Sequence, residues 1–302
     1  MKLSQIFTPI LATALAVATL STTAAAQVTA QTTQTIQTTA SQNSFQHIRN
    51  ATAKIHYAGK TFLLDPMLAK KGAYAGFEGT VNSQLRNPLI ELPMPSENVF
   101  KGVDAVIVTH THLDHWDDAA QKQLPKNLPI IVQNQSDADI VRSQGFSDVR
   151  VLSNELDFDG VKLAKTGGAH GTVAMYAIPQ LAGLLGDAMG VVLQAGGQDT
   201  LYIAGDTLWT ADVNKAIHRY QPNIVVLNTG YARIEGLDGG IIMGTADVER
   251  ATQMLPNAKI IAVHMDAVNH ATVSRKDLRR FVQEKGIADK VVIPNDGEIV
   301  GF

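Results

Sequence analysis

A short apolar strand, a polar loop and a helical pattern follow one another repeatedly from about residue 100 to the C-terminus. This recurrence restricts the folds that the chain can adopt to a small number. The alternation of strands and helices indicates a layered α/β protein. Binding clefts in such proteins form at the carboxyl ends of strands, where polar residues stand repeatedly in this chain. The pattern predicts strands at 103–108, 129–132, 161–165, 200–204, 223–227, 259–263 and 290–293, and helices at 117–124, 136–144, 212–220 and 274–285.

The segment before this recurrence has a different pattern. Two apolar runs, 53–56 and 61–64, flank a short turn and predict a β-hairpin. Residues 66–95 have little periodicity and many Gly, Pro and Asn residues, and 183–190 is a second Gly-rich loop, followed by a strand at 190–194. Long irregular segments inside compact domains are often binding loops or lids. We therefore expect substrate specificity to lie in these two segments.

The stretch Thr-His-Thr-His-Leu-Asp-His at 109–115 places three imidazoles and a carboxylate within six residues, directly after a predicted strand. In an extended backbone, His110 and His112 can point to the same side, while Asp114 and His115 return as the chain turns. Neutral nitrogen and anionic oxygen donors packed this densely suit Zn²⁺ or a neighbouring first-row metal. The alternative is a solvated histidine-rich loop.

Three more polar residues follow predicted strands. His170 comes after two glycines, which permit a close approach of the backbone. Asp206 stands between Gly205 and Thr207, where it could also cap a turn. His264 stands at a strand end and, taken alone, would more often be a structural histidine.

In this order the residues resemble the metallo-β-lactamase-fold hydrolase superfamily, from about Phe45 to Phe302. The resemblance implies the fold class: an α/β four-layer αββα sandwich in a single domain, with helices on both outer faces and a binuclear metal site at one edge. The local sequence is similar to the ascorbate-6-phosphate lactonase-like branch of that superfamily. The segments that carry this similarity are Leu63–Pro66, Trp116-Asp117, Gly168–Gly171, Ala204–Thr207, Ile242–Gly244 and His264–His270.

The resemblance also implies two divalent metal ions as cofactors. Zinc is favoured, with manganese or iron as alternatives, because ligation by nitrogen and oxygen alone admits all three. Asp114 and His264 are the implied catalytic residues, and Asp114 would orient the nucleophile or carry its proton. The implied ligands are His110, His112 and His170 for the first metal, Asp114, His115 and His264 for the second, and Asp206 as the bridge between them.

Weaker candidates surround this set. Asp65 and Asp104 could hydrogen-bond ligating imidazoles and fix their tautomers, or could be turn or surface carboxylates. Trp116 could line the metal pocket, although core packing is the favoured role. Five residues could face the cleft or be structural, namely Asn228, Tyr231, Asp266, Asn269 and His270, and three histidines outside the pattern are interpreted as surface or structural, namely His47, His56 and His218.

These features predict an exported hydrolase that uses a metal-bound hydroxide on a small-molecule substrate. A lactone, ester or amide is expected first, with a phosphodiesterase of the same fold or a non-catalytic metal-binding module as alternatives, and β-lactam hydrolysis is less expected. The net charge is −3 without a lysine- or arginine-rich run, which disfavours nucleic acid as a partner. The chain has no cysteine, which excludes thiolate ligands and disulfides.

The N-terminus has the pattern of an export signal. Lys2 precedes a mostly apolar, uncharged stretch, and three alanines at 24–26 supply small residues for cleavage, so 1–26 is predicted to be a signal peptide. Residues 27–44 are almost entirely Gln, Thr, Ala and Ser, which predicts a flexible low-complexity leader before a hydrolase domain at 45–302. The expected location is periplasmic or secreted, with no stable membrane anchor after cleavage; oligomeric state is not predicted.

Overall fold

The computed structural model describes residues 43–302, so the predicted signal peptide and the leader up to residue 42 lie outside the described residues. The strands are β1 Ser44–Arg49, β2 Thr52–Tyr57, β3 Lys60–Leu64, β4 Ala105–Val108, β5 Ile130–Val132, β6 Val149–Val151, β7 Glu155–Phe158, β8 Val161–Thr166, β9 Gly190–Gln194, β10 Leu201–Ile203, β11 Ile224–Asn228, β12 Lys259–Val263, β13 Val291–Val292 and β14 Ile299–Gly301. The helices are α1 Ser96–Phe100, α2 Asp118–Gln123, α3 Gln135–Ser143, α4 Val173–Tyr176, α5 Pro179–Leu185, α6 Ala211–Tyr220, α7 Thr245–Met254 and α8 Arg275–Glu284.

The strands form two seven-stranded sheets with the same arrangement. The first has the order β14-β1-β2-β3-β4-β5-β6, and the second has the order β13-β12-β11-β10-β9-β8-β7. In each sheet, four neighbouring strands are antiparallel and three further strands are added in parallel, beside β3 in the first sheet and beside β10 in the second. The parallel strands of both sheets therefore present their carboxyl ends to loops, where a binding site can form.

Alternating side chains on the strands produce four layers. Between the sheets lies a buried cluster that includes Ile55 and Ile107 from the first sheet and Leu193 and Val226 from the second. A second cluster joins the outer face of the second sheet to α6, α7 and α8, and a third joins the outer face of the first sheet to α2 and α3. Burying one such aliphatic side chain contributes about 1.5–3 kcal/mol. The predicted αββα sandwich in a single domain is confirmed.

The predicted hairpin is present as β2 and β3, with Tyr57 opposite Lys60. Its two turn residues, Ala58 and Gly59, have φ of 50° and 78°, the backbone that a two-residue hairpin turn with matching twist requires. The irregular segment 66–95 is also confirmed, since between β3 and α1 the chain forms only an isolated bridge within the segment and another to residue 234. No helix in residues 43–302 is long and apolar enough to cross a membrane.

Several elements differ from the sequence prediction. Gly183 was placed in a loop over 183–190, but it lies in α5, which begins with Pro179 at its first turn. Helix α7 was missed because its inner face is carried by few residues, Val248, Ala251 and Thr252. Strand β1 begins at Ser44, one residue before the expected start of the folded domain. The strands and helices that were predicted from residue 100 onward are present, with ends that shift by one or two residues.

Candidate metal centre

Four strand ends deliver the predicted ligands to one edge of the sandwich. His110, His112, Asp114 and His115 follow β4 of the first sheet. His170, Asp206 and His264 follow β8, β10 and β12 of the second sheet. Their side chains form two groups whose potential ligand atoms lie within 4.8 Å of one another: His110, His112 and His170 in the first, and Asp114, His115, Asp206 and His264 in the second. The structure therefore brings all seven predicted ligands together.

In the first group, neighbouring oxygens hold the rings so that one nitrogen of each faces the centre. The carbonyl oxygens of Leu184 and Ile241 lie 2.9 Å from His112 Nε2 and His170 Nδ1. Because a carbonyl oxygen only accepts, these ring nitrogens donate, and His112 Nδ1 and His170 Nε2 keep free lone pairs. His112 Nδ1 lies 3.0 Å from His110 Nε2. Imidazoles oriented by hydrogen bonds in this way are typical of metal ligands.

In the second group, the carboxylate of Asp65 orients the imidazole ring of His115. Its Oδ2 accepts from His115 Nδ1 at 2.8 Å, which leaves His115 Nε2 to face His264 Nε2 at 3.2 Å. Asp65 also accepts from Thr109 N and Oγ1, both at 2.7 Å. His264 Nε2 lies 3.3 Å from Asp114 Oδ2, and its Nδ1 is buried without a partner among the described residues. Asp65 is thus confirmed as a residue that fixes a candidate ligand.

Asp206 stands between the two groups. Its Oδ2 lies 3.1 Å and 3.6 Å from the Nε2 atoms of His115 and His264, and 3.8 Å and 4.0 Å from those of His170 and His110. Its Oδ1 accepts from Asn228 Nδ2 at 2.6 Å. One carboxylate oxygen therefore faces both groups while the other is held by an amide, as a bridging residue requires.

The protonation states suit cations. Burial lowers the pKa of His170 to about 4 and, with the neighbouring imidazoles, holds the pKa of His110 well below its usual value, so both rings are neutral at pH 7. Burial alone would raise the pKa of Asp114 and Asp206, but His115 and His264 outweigh it and hold both pKa values well below the usual range. Neutral imidazoles and ionised carboxylates aimed at common points fit divalent metal ions.

His115 has the opposite shift. Burial lowers its pKa, but Asp206, Asp114 and Asp65 outweigh burial and hold the pKa of His115 well above its ordinary value. To hold a cation in the second group, His115 would have to give up this proton, because a ligating imidazole must offer a lone pair. The three carboxylates around this one imidazole are a second indication that the group suits a bound cation.

The backbone at His264 is unusual. His264 and Asp266 both have φ of 63°, in the left-handed region, where histidine and aspartate are more common than most residues. The His264 amide donates to the carbonyl oxygen of Asn50 at 3.0 Å, and a Cβ on Gly230 would lie 2.2 Å from the His264 carbonyl oxygen. Close backbone contacts on both sides thus hold a conformation that turns the imidazole into the site.

Sequence reasoning missed Asn50. It is fully buried in the turn between β1 and β2, and its Nδ2 lies 3.2 Å from the Asp114 carbonyl oxygen, 3.4 Å from Asp114 Oδ2 and 3.3 Å from His264 Nε2. No local motif marks this asparagine. Its role depends on the turn lying beside the ends of β4 and β12, which only the tertiary structure provides.

The weaker candidates have different outcomes. For Asp104 the alternative of a surface carboxylate holds and contact with a ligating imidazole does not: it is exposed before β4, at the opposite end from the ligands, and accepts from Thr61 N at 2.8 Å. Asp266 contacts Arg275 instead of a ligand. Trp116 is buried in the core and donates to Gln144 Oε1, as expected. Of the three histidines outside the pattern, His47 is buried and structural, His56 is half-buried and His218 is exposed.

A cavity of about 500 Å³ opens onto both ligand groups. His112, Asp114, His170 and Asp206 lie on one side of it, and His270 also lines it. The facing wall is apolar and comes from 66–95, α5 and the segment after β11. Its apolar residues are Phe77, Leu181, Leu184, Leu185, Ile234 and Ile241. The two segments that were expected to shape specificity therefore do line the cavity.

Comparison with known proteins identifies the family. The sequence model of the β-lactamase superfamily domain matches residues 60–265. The chain belongs to the β-lactamase superfamily. The UPF0173 protein YddR of Bacillus subtilis is 47% identical over 255 residues, which is 84% of this chain and 98% of that protein.

Two solved structures are also similar to this chain. One, from Veillonella parvula DSM 2008, is described as a possible metal-dependent hydrolase; it is 52% identical with a TM-score of 0.86, over 86% of this chain and all of that one. The other is an isothiocyanate hydrolase from Delia radicum gut bacteria, 51% identical with a TM-score of 0.83, over 86% of this chain and 99% of that one. The chain is a metal-dependent hydrolase of the metallo-β-lactamase fold. The narrower resemblance to the ascorbate-6-phosphate lactonase-like branch stays a prediction.

Proposed function

We propose that this chain hydrolyses isothiocyanates with small apolar substituents, at a site that binds two divalent metal ions. The observation that carries the proposal is the 51% identity to an isothiocyanate hydrolase over 99% of that chain. The apolar wall of the cavity supports it, because an isothiocyanate carries an uncharged organic group beside a compact reactive carbon. The lactone, ester or amide favoured by the sequence pattern shares the same step, attack of water on an electrophilic carbon.

The described cavity lining disfavours the phosphodiesterase alternative. Among the described residues that line it there is no lysine or arginine, and Glu78 adds a carboxylate to those of Asp114 and Asp206. A phosphodiester carries a negative charge that such a lining would repel unless metal ions compensated both the lining and the substrate. A neutral substrate has no such cost.

The reaction balances without a further reactant. Water adds across the carbon–nitrogen bond of R–N=C=S to give a thiocarbamate, and breakage of that carbon–nitrogen bond gives the amine R–NH₂ and carbonyl sulfide. Divalent metals held by the two ligand groups would acidify the attacking water and polarise the bond it attacks. Asp114 lines the cavity and is ionised, so it accepts a proton from the water and returns it to the substrate nitrogen. The apolar wall holds the organic group and excludes bulk water.

Zinc is the metal we propose, with three imidazoles in the first group and two imidazoles with carboxylates in the second. We also propose that residues 1–26 direct export and are removed. N-terminal sequencing of protein purified from its native cell envelope tests this second point, and an intact Met1 would contradict cleavage after Ala26.

The first experiment combines metal analysis with turnover. Metal content per chain is measured beside hydrolysis of benzyl and methyl isothiocyanate, a lactone, p-nitrophenyl acetate and bis-p-nitrophenyl phosphate. About two metals per chain, chelator-sensitive turnover and a preference for benzyl isothiocyanate are expected. A lactone or phosphodiester as best substrate, with no isothiocyanate turnover, would refute the proposed substrate class.

A matched pair of histidine variants tests the site itself. His112→Ala removes a ligand of the first group and is expected to lower turnover by at least about 10³-fold with loss of roughly one metal. His218→Ala changes an exposed histidine on α6 and is expected to keep the wild-type turnover and metal content. Wild-type metal content and activity in His112→Ala would overturn the ligand assignment.

A further inference from the structure

One buried histidine in the cavity belongs to neither ligand group. His270 follows His264 by six residues, is 7% exposed and lines the cavity together with Asp114 and Asp206. Its Nδ1 is sealed from solvent without a partner, and its Nε2 makes no hydrogen bond among the described residues. By contrast, His112 and His170 in the same cavity each donate to a backbone carbonyl. A polar ring atom that faces a cavity without a protein partner is free to bind a ligand there, and in His270 that atom is Nε2.

The position of His270 is fixed by its neighbours. Its carbonyl oxygen accepts from Arg233 N at 3.0 Å, and its ring meets that of Phe77 edge-on with centroids 4.9 Å apart. The preceding Asn269 accepts from Phe77 N at 3.0 Å and donates to Thr80 Oγ1 at 2.8 Å. Backbone and ring are therefore held, and what remains free is the hydrogen-bonding capacity of the ring.

The protonation state of the His270 ring limits the roles that this side chain can have. Burial lowers the pKa of His270 to about 4, so at neutral pH the imidazole carries one N–H and one lone pair. With Nδ1 sealed, Nε2 is the atom left to meet a molecule in the cavity. A neutral donor suits a neutral substrate, because it stabilises charge as that charge forms without first binding an anion.

We propose that His270 is a catalytic residue whose Nε2–H donates a hydrogen bond to the isothiocyanate heteroatom that gains negative charge as water adds to the carbon. This inference rests on the proposed function. It assigns a task to a side chain outside the candidate metal ligands. It also accounts for a polar ring beside Phe77 in the otherwise apolar wall of the cavity.

The test compares three substitutions at this position in the metal-loaded enzyme. His270→Leu keeps an apolar side chain against Phe77 without a donor, His270→Met is a more adaptable version of the same change, and His270→Gln retains an N–H near the Nε2 position. We expect the Leu and Met variants to lose on the order of 100-fold in kcat/KM on benzyl isothiocyanate, mainly in kcat. The Gln variant is expected to stay within about 10-fold of the wild type. Metal content and unfolding midpoint are measured for each variant, and all are expected to keep the wild-type metal content.

The outcomes separate this inference from the proposed function. If the wild type hydrolyses isothiocyanate and the Leu or Met variant does so within about 3-fold of the wild-type rate, the role of His270 is overturned and the proposed function stands. Equal losses in the Gln, Leu and Met variants, or loss of bound metal in all three, would also overturn it, because the effect would then be structural. If the wild type does not hydrolyse isothiocyanates, the proposed function fails and this role fails with it. If the Leu variant does not fold, the Met variant decides.

Discussion

At the scale of single residues, the ligands could be predicted and the residues that hold them only in part. Histidines and aspartates that follow predicted strands in a family order are visible in the sequence. For Asp65 and Asp104 the sequence left open whether each contacts a ligating imidazole or is a turn or surface carboxylate. Only the tertiary structure separates them, because Asp65 accepts from His115 Nδ1 whereas Asp104 lies at the opposite end of β4 from the ligands. Asn50 could not be found, because its contacts with Asp114 and His264 join residues far apart in the chain.

The contrast between the two aspartates gives a prediction. Asp65→Asn replaces an acceptor facing His115 Nδ1–H by an amide that cannot satisfy His115 and both Thr109 donors together. We expect metal affinity of the second group to fall by about 10–100-fold. Competition with a chromophoric chelator measures this affinity. Asp104→Asn, at the exposed opposite end of β4, is the control, and equal affinities in the two variants would contradict the role assigned to Asp65.

At the scale of elements, most strands and helices from residue 100 onward were predictable, whereas the structure of the two segments that line the cavity was not. Periodicity identifies β4, β12 and α8 because each has a continuous buried face. Helix α5 contains a glycine and exposes Leu184, so its pattern is that of a loop. The segment 66–95 has almost no regular secondary structure and therefore no periodicity in its sequence. Side-chain contacts order it instead. Buried Arg49 donates to the carbonyl oxygens of Met67, Ala69 and Ile90.

Substitution of Asn269 tests whether side-chain hydrogen bonds hold the irregular segment in place. Its side chain accepts from Phe77 N and Asn87 Nδ2 and donates to Thr80 Oγ1 and Val81 O, all at 2.8–3.0 Å. Asn269→Ala removes all four bonds, and we expect it to lower the free energy of unfolding by about 2–3 kcal/mol. Urea denaturation measures the loss, and limited proteolysis is expected to cut within 77–87. Gln84→Ala, exposed on the same segment, is the control, and an Asn269→Ala variant as stable as this control would show that other contacts hold the segment.

At the scale of the whole molecule, the site depends on both sheets. The first sheet supplies His110, His112, Asp114 and His115 through β4, and the second supplies the other three ligands through β8, β10 and β12. The family resemblance predicted the four layers. The matching arrangement of the two sheets could not be predicted, because β7 and β14 are short or half-exposed and lack a clear pattern.

Because the two ligand groups join the sheets, metal binding is expected to stabilise the entire domain. An ion that binds only the folded chain adds about 1.4 kcal/mol to the free energy of unfolding for each tenfold rise in free metal above its Kd. Two ions therefore add about 2.7 kcal/mol per tenfold rise, and His112→Ala, which breaks only the first group, is expected to halve that slope. Urea denaturation at several buffered zinc concentrations measures it. A wild-type slope of one ion would refute the binuclear assignment, and a slope of zero would mean that the histidines and aspartates at this edge do not bind metal in the folded chain.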